Sequence, residues 1–171
     1  MAGCREPPTR CAVRAPGGKG QVVMADHQEA SATLPSDAAS VREARAFVCA
    51  LLAEWGLPAR ADMADAVRLI VSELVTNAVL HTDGRSPFFT VTVSLDRDEL
   101  LRVGVTDSHP RPPRRLPAAV QQDNGRGLAI IRFLTAENGG RLSVVPTPQG
   151  GKTVLVALPW RAARAGVVPE D

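Results

Sequence analysis

The segment from Ala61 to Leu80 constrains the fold most, because its apolar residues recur at the spacing of a helix with one buried face. That stripe consists of Met63, Val67, Ile70, Val71, Leu74 and Ala78. Glu73 and Asn77 share a different face, since residues four apart on a helix lie one above the other. The segment therefore predicts a helix that buries one side and presents an acid and an amide together on another.

A second amphipathic helix precedes this one. Ser36 or Asp37 is its candidate N-cap, and Gly56 and Pro58 are expected to end it. Its apolar stripe consists of Val41, Ala44, Val48, Leu51, Leu52 and Trp55. A third helix is predicted to open at Gly125-Arg126-Gly127.

Alternation of apolar and polar residues predicts the strands. Residues 89–95 and 101–105 are expected to form an antiparallel hairpin, and 32–34 a short edge strand. Two further strands are predicted around 142–144 and 154–158. Helices and strands together predict an α+β fold, a two-layer α/β sandwich whose mostly antiparallel sheet packs against about three helices.

The ordered patterning divides the chain into one domain and two tails. Residues 30–160 form the predicted domain, whereas 1–29 and 161–171 have the composition of flexible tails. The proline-rich stretch 107–124 is long enough to be a lid. Patterning begins soon after Met24, which is a candidate start codon that N-terminal sequencing of the native protein would test.

Composition narrows the functional classes. The chain has no apolar run long enough to span a membrane and no secretory h-region, so we expect a cytoplasmic protein. The cysteines are odd in number and have no metal-site spacing, which favours reduced thiols; they are Cys4, Cys11 and Cys49.

The net charge is only +2, which argues against direct nucleic-acid binding. The one basic cluster lies in the proline-rich stretch, at Arg111, Arg114 and Arg115. A solvated loop and a nucleic-acid contact are both open explanations for it, and salt-sensitive DNA binding would support the second.

Four motifs suggest nucleotide chemistry. The first is the pair on the long helix: the Asn77 side-chain oxygen suits Mg²⁺, which takes one or two protein ligands and completes its shell with water and phosphate. Glu73 could hold a metal-bound water or accept a proton from an attacking hydroxyl. Such a pair is common on any solvated helix face, so by itself it does not establish a metal site.

The second motif is Asp107, at the end of a core strand. A carboxylate there would accept a hydrogen bond from the exocyclic amine of adenine, whereas guanine would present a second acceptor. A buried mismatch of this kind costs about 1–3 kcal/mol. An Asp that merely begins a turn is the alternative.

The remaining two motifs contain glycines. Gly125, Arg126 and Gly127 could let free backbone N–H groups at a helix start approach a phosphate. In Gly150-Gly151-Lys152-Thr153 the Thr153 hydroxyl could complete hydrogen bonding near the base, although the local sequence favours a simple glycine hairpin turn. It is not a phosphate-binding loop of the Walker A type, since it precedes a strand.

The order and spacing of these motifs resemble the ATP-binding domains of gyrase, the heat-shock chaperone, sensor histidine kinases and mismatch-repair ATPases, known as the Bergerat fold. The chain is most similar to anti-sigma factor serine kinases and covers that pattern over residues 32–159. The N box of this family matches residues 73–81. The three glycine boxes match residues 107–110, 125–130 and 150–153.

The resemblance implies specific roles. Asn77 would coordinate Mg²⁺, Glu73 would be the general base for phosphoryl transfer to a protein serine, and Asp107 with Thr153 would bind adenine. Gly125, Arg126 and Gly127 would line the phosphates of ATP. The implied partners are a sigma factor and an anti-anti-sigma protein, and homodimers are common in the family. One departure matters: Ser108-His109-Pro110 lacks the glycines of the first box. A regulatory module without ATP turnover is therefore the alternative.

Overall fold

In a computed structural model, residues 27–58, 61–80, 86–96, 99–109 and 126–160 are described. They form an α+β fold of three helices and five strands, as predicted. In chain order the elements are β1 (His27–Pro35), α1 (Ala38–Glu54), α2 (Asp62–Leu80), β2 (Phe88–Asp96), β3 (Leu100–Asp107), α3 (Arg126–Glu137), β4 (Arg141–Pro146) and β5 (Lys152–Pro159).

The strands form one sheet in the order β1-β2-β3-β5-β4, and every neighbouring pair is antiparallel. The register places Phe89 opposite Asp107, and Asp107 opposite Lys152. Opposed residues in an antiparallel pair point to the same face. The last residue of β3 and the first of β5 therefore share the face on which Phe89 is buried.

The helices cover that face of the sheet, and α2 lies at the centre, packed on α1, α3, β2 and β3. All six residues of its predicted stripe are buried. The sheet supplies alternate residues to the same core, namely Phe89, Val91, Val93, Leu95, Leu101, Val103, Val105, Val154, Val156 and Leu158. Each such side chain contributes about 1.5–3 kcal/mol when it is fully buried.

The ends of α1 agree with the sequence signals. Asp37 is the N-cap, and its carboxylate accepts a hydrogen bond of 2.9 Å from the Ser40 backbone N–H. That bond lowers the pKa of the Asp37 carboxyl. At the other end Gly56 has a φ of 92°, a conformation that glycine adopts without strain.

The edge strand β1 is longer than predicted. It begins at His27, so residues 27–29 belong to the sheet and not to the predicted tail. The rest of that tail, the lid stretch after His109 and the C-terminal tail lie outside the described residues. Among the helices of the described part, none has the length and apolar character needed to cross a membrane.

The other face of the sheet has no helix packed on it within the described ranges and carries paired hydroxyls. Thr33 and Thr90 are joined by a hydrogen bond of 2.9 Å, and Thr106 and Thr153 by one of 2.7 Å. These polar pairs make the face compatible with water.

Candidate functional site

Three of the predicted site residues meet where α2 passes the first turn of α3. A Cβ atom built on Gly127 would lie 2.5 Å from Glu73 Oε2 and 3.5 Å from each of Asn77 Oδ1 and Nδ2. A Cβ so close to an oxygen would force the end of the Glu73 side chain to move, so glycine lets α3 approach both side chains as they stand. The structure thus brings Glu73, Asn77 and Gly127 into one cluster.

Packing explains why the cluster forms. Ile131 is completely buried one turn further along α3, and it anchors that helix in the core beside α2. Glu73 and Asn77 are half-buried, at the border of the apolar stripe. The stripe therefore fixes the helix rotation that turns both polar side chains towards the start of α3.

The chemistry of the cluster fits a magnesium-bound phosphate. The first N–H groups of a helix have no intrahelical partner and attract anions. Amide and carboxylate oxygens are what Mg²⁺ prefers. Over the described ranges no three acidic, histidine or cysteine side chains gather into a metal site. Gly125 and the Arg126 side chain lie outside the described residues.

Asp107 lies in the sheet, on the face that the helices cover. Its side chain is only 4% exposed and forms an ion pair with Lys152, whose Nζ donates to Asp107 Oδ1 at 2.9 Å. The same oxygen accepts from the His109 backbone N–H at 2.8 Å, and Lys152 Nζ also donates to the His109 carbonyl at 3.1 Å. Asp107 both begins a turn and presents a carboxylate towards the helices.

Two further residues fix this turn. The Ser86 hydroxyl is fully buried; it accepts from the Ser108 N–H at 2.9 Å and donates to the Phe88 carbonyl at 2.7 Å. A Cβ at Gly151 would overlap the Asp107 carbonyl oxygen, so glycine is needed for β5 to approach. No sequence pattern indicates a role for Ser86, which lies just before β2.

Thr153 does not lie beside Asp107, the residue with which it was expected to bind adenine. Its hydroxyl bonds to Thr106 on the uncovered face of the sheet, away from Asp107. Adjacent residues of a strand point to opposite faces, so Lys152 and not Thr153 stands beside Asp107. The alternation within β5 already indicates this arrangement. Lys152 has the same parity as Val154, Val156 and Leu158, which point into the core.

The family is shown by a sequence profile. The profile of the histidine kinase-like ATPase domain matches residues 34–156. The chain belongs to this family. The match includes the Glu73–Asn77–Gly127 cluster and the Asp107–Lys152 pair.

Relatives of this ATPase domain include sensor kinases of mycobacteria. Sensor histidine kinase PdtaS of Mycolicibacterium smegmatis is 35% identical over 104 residues, which are 58% of this chain and 20% of that protein. Sensor histidine kinase component HK1 of Mycobacterium tuberculosis is 31% identical over 107 residues, which are 56% of this chain and 61% of that protein. The chain thus spans less than two thirds of either relative.

A solved structure has the same fold. The crystal structure of the RsbU and RsbW domains of Rv1364c from Mycobacterium tuberculosis superposes with a TM-score of 0.53 at 23% identity, covering 77% of this chain and 32% of that one. The Bergerat-type α+β fold expected from the sequence is thereby confirmed.

Proposed function

We propose that this ATPase domain binds Mg-ATP between its helices and its sheet, and that it transfers the γ-phosphate to a serine of an anti-anti-sigma protein. It would also sequester a sigma factor, as a homodimer or a monomer. The observation that supports this most directly is the approach of Gly127 to Glu73 and Asn77. It supports the proposal because a helix start, an amide and an acid would then lie within reach of one phosphate group.

The phosphate end would be formed by the cluster. Asn77 would offer its side-chain oxygen to Mg²⁺, and the N–H groups at the start of α3 would bind phosphate oxygens. When bound, Mg²⁺ neutralises the charge that develops on the phosphates. Gly125 and Arg126 remain proposed phosphate contacts.

The base end would be formed by Asp107, whose carboxylate would accept a hydrogen bond from the exocyclic amine of adenine. Both bonds that this carboxylate accepts from described residues go to Oδ1. The other oxygen, Oδ2, would therefore meet the base. A carboxylate in this position selects against guanine, which offers a carbonyl there.

The transfer step would use Glu73 as the general base. The serine hydroxyl oxygen bonds to the γ-phosphorus, the bond from that phosphorus to the β,γ-bridging oxygen breaks, and ADP leaves. Glu73 takes the serine proton. Because the Glu73 carboxylate lies beside the start of α3, it is close to the place where the γ-phosphate would be bound.

A regulatory module without turnover is the second candidate. It is favoured by the first glycine box, because Ser108-His109-Pro110 follows Asp107 without the glycines of the family pattern Asp-x-Gly-x-Gly. Such a protein would act on its partner by binding alone.

Two measurements separate the candidates. Calorimetry with Mg-ATP should show binding, and its absence at millimolar nucleotide would exclude the kinase. Incubation with radiolabelled ATP and candidate partners encoded nearby should label a partner serine. Glu73→Ala should abolish this transfer and leave nucleotide binding largely intact, so unchanged transfer by the variant would disprove the role of Glu73.

A further inference from the structure

The ion pair between Lys152 and Asp107 is buried, so both charges are removed from water. The Lys152 side chain is 10% exposed and the Asp107 side chain 4%. Removing two charges from water is costly, and well-packed apolar residues often replace a buried pair without loss of stability. Stability alone is therefore a poor reason for a lysine at this place.

The hydrogen bonds of the pair form a ring and converge on one carboxylate oxygen. Lys152 Nζ and the His109 N–H both donate to Asp107 Oδ1, and Nζ also donates to the His109 carbonyl. The three bonds join the lysine, the carboxylate and the turn after β3 into one ring. Rotation of the carboxylate would break two bonds to the same oxygen.

We propose that Lys152 is a positioning residue, which holds Asp107 Oδ1 so that only Oδ2 can accept from a nucleotide base. The inference rests on the proposed function, and it names the feature of the base that the site selects: an amine on the six-membered ring of a purine. Lys152 also fixes the backbone that follows Asp107, through its bond to the His109 carbonyl.

The position of Lys152 supports this role. It is the first residue of β5, directly opposite Asp107 in the register. Gly151 precedes it, and the lack of a side chain there lets β5 contact the Asp107 backbone. The lysine is thus fixed at both its backbone and its ammonium group.

The test compares ATP with purine ribonucleoside triphosphate, which lacks the amine, by calorimetry in the presence of Mg²⁺. The wild-type protein should bind ATP about tenfold tighter or more, because a hydrogen bond to a charged acceptor is lost with the analogue. Lys152→Met should reduce this ratio to about one, with little change in the affinity for the analogue.

The matched control is Arg102→Met. Arg102 pairs with Asp96 on the other face of the same sheet, so the variant also removes a cation from an ion pair but should keep the wild-type ratio. A Lys152→Met protein that retains the wild-type ratio, or that binds ATP more tightly, overturns the inference while the proposed function stands. No ATP binding by the wild-type protein overturns both.

A second variant covers the case in which Lys152→Met does not fold. In Asp107→Asn, the two donors on one side would hold the amide oxygen and turn the amide nitrogen towards the base. This variant should prefer inosine triphosphate, whose carbonyl accepts a hydrogen bond, over ATP. An unchanged preference for ATP would contradict the positioning role.

Discussion

Replacement of Gly127 by alanine tests the site with little disturbance of the fold. Gly127 lies in the first turn of α3, and the positive φ values among described glycines are at Gly56, Gly139 and Gly150. Alanine therefore suits the backbone at 127. Its Cβ, however, would lie 2.5 Å from Glu73 Oε2, so the end of that flexible side chain must move.

The two effects on stability oppose each other. Alanine is favoured over glycine in a helix by up to about 1 kcal/mol. Moving the end of a glutamate side chain costs a similar amount, about 0.5–1.5 kcal/mol for an off-rotamer angle. The net change should stay within about 1 kcal/mol, which shifts the melting temperature by about 4 °C at most in a domain of this size.

The effect on nucleotide binding should be larger. The new methyl group crowds the start of α3 and displaces the Glu73 side chain, beside which we place the phosphates. We expect the affinity for Mg-ATP to fall about tenfold or more, which corresponds to about 1.4 kcal/mol. Calorimetry gives the affinity and thermal unfolding gives the stability of the same sample.

The matched control is Ala129→Gly, an exposed position two residues further along α3. It should lower stability by up to about 1 kcal/mol and leave the affinity unchanged, the opposite pattern. If Gly127→Ala binds Mg-ATP as tightly as the wild-type protein, the phosphate site is not at this cluster.

Three further predictions concern the site, the first helix and the core. Asn77→Ala should make nucleotide binding insensitive to Mg²⁺, as seen by titration with and without EDTA; a retained metal dependence would contradict its role. Asp37→Ala should lower the urea midpoint at pH 7. Because the native pKa of Asp37 lies below 3.8, its contribution is lost as the pH falls through that native value, and the two midpoints should converge in acid. Ile131→Ala should cost about 2–5 kcal/mol by chemical denaturation, and a loss below 1 kcal/mol would show that α3 is not anchored there.

The sequence was sufficient for the helices and for most strands, because their periodicity reflects one buried face. The stripe of α2 from Met63 to Ala78 is buried as predicted, and Asp37 caps α1. β1 was underestimated because residues 27–31, His-Gln-Glu-Ala-Ser, have low strand propensity. They form a strand through pairing with β2, which is a tertiary effect.

The site was predictable in part. Helical spacing placed Glu73 beside Asn77, but the approach of Gly127 depends on how α3 packs, which no local pattern contains. The face on which Thr153 lies follows from the parity of β5, since Lys152 has the parity of the inward Val154. Even with that parity, the pairing of Lys152 with Asp107 follows from the register between β3 and β5, which only the folded sheet fixes.

Asp107 is carried by the sheet, whereas Glu73 and Asn77 are carried by the helix that packs on it. The interior between these layers is apolar and holds them at a spacing set by the bulk of its side chains. A methylene added or removed deep in that interior would therefore alter the span that a bound nucleotide must bridge. Core residues that never contact the nucleotide would then change the affinity for it, through the distance between helix and sheet.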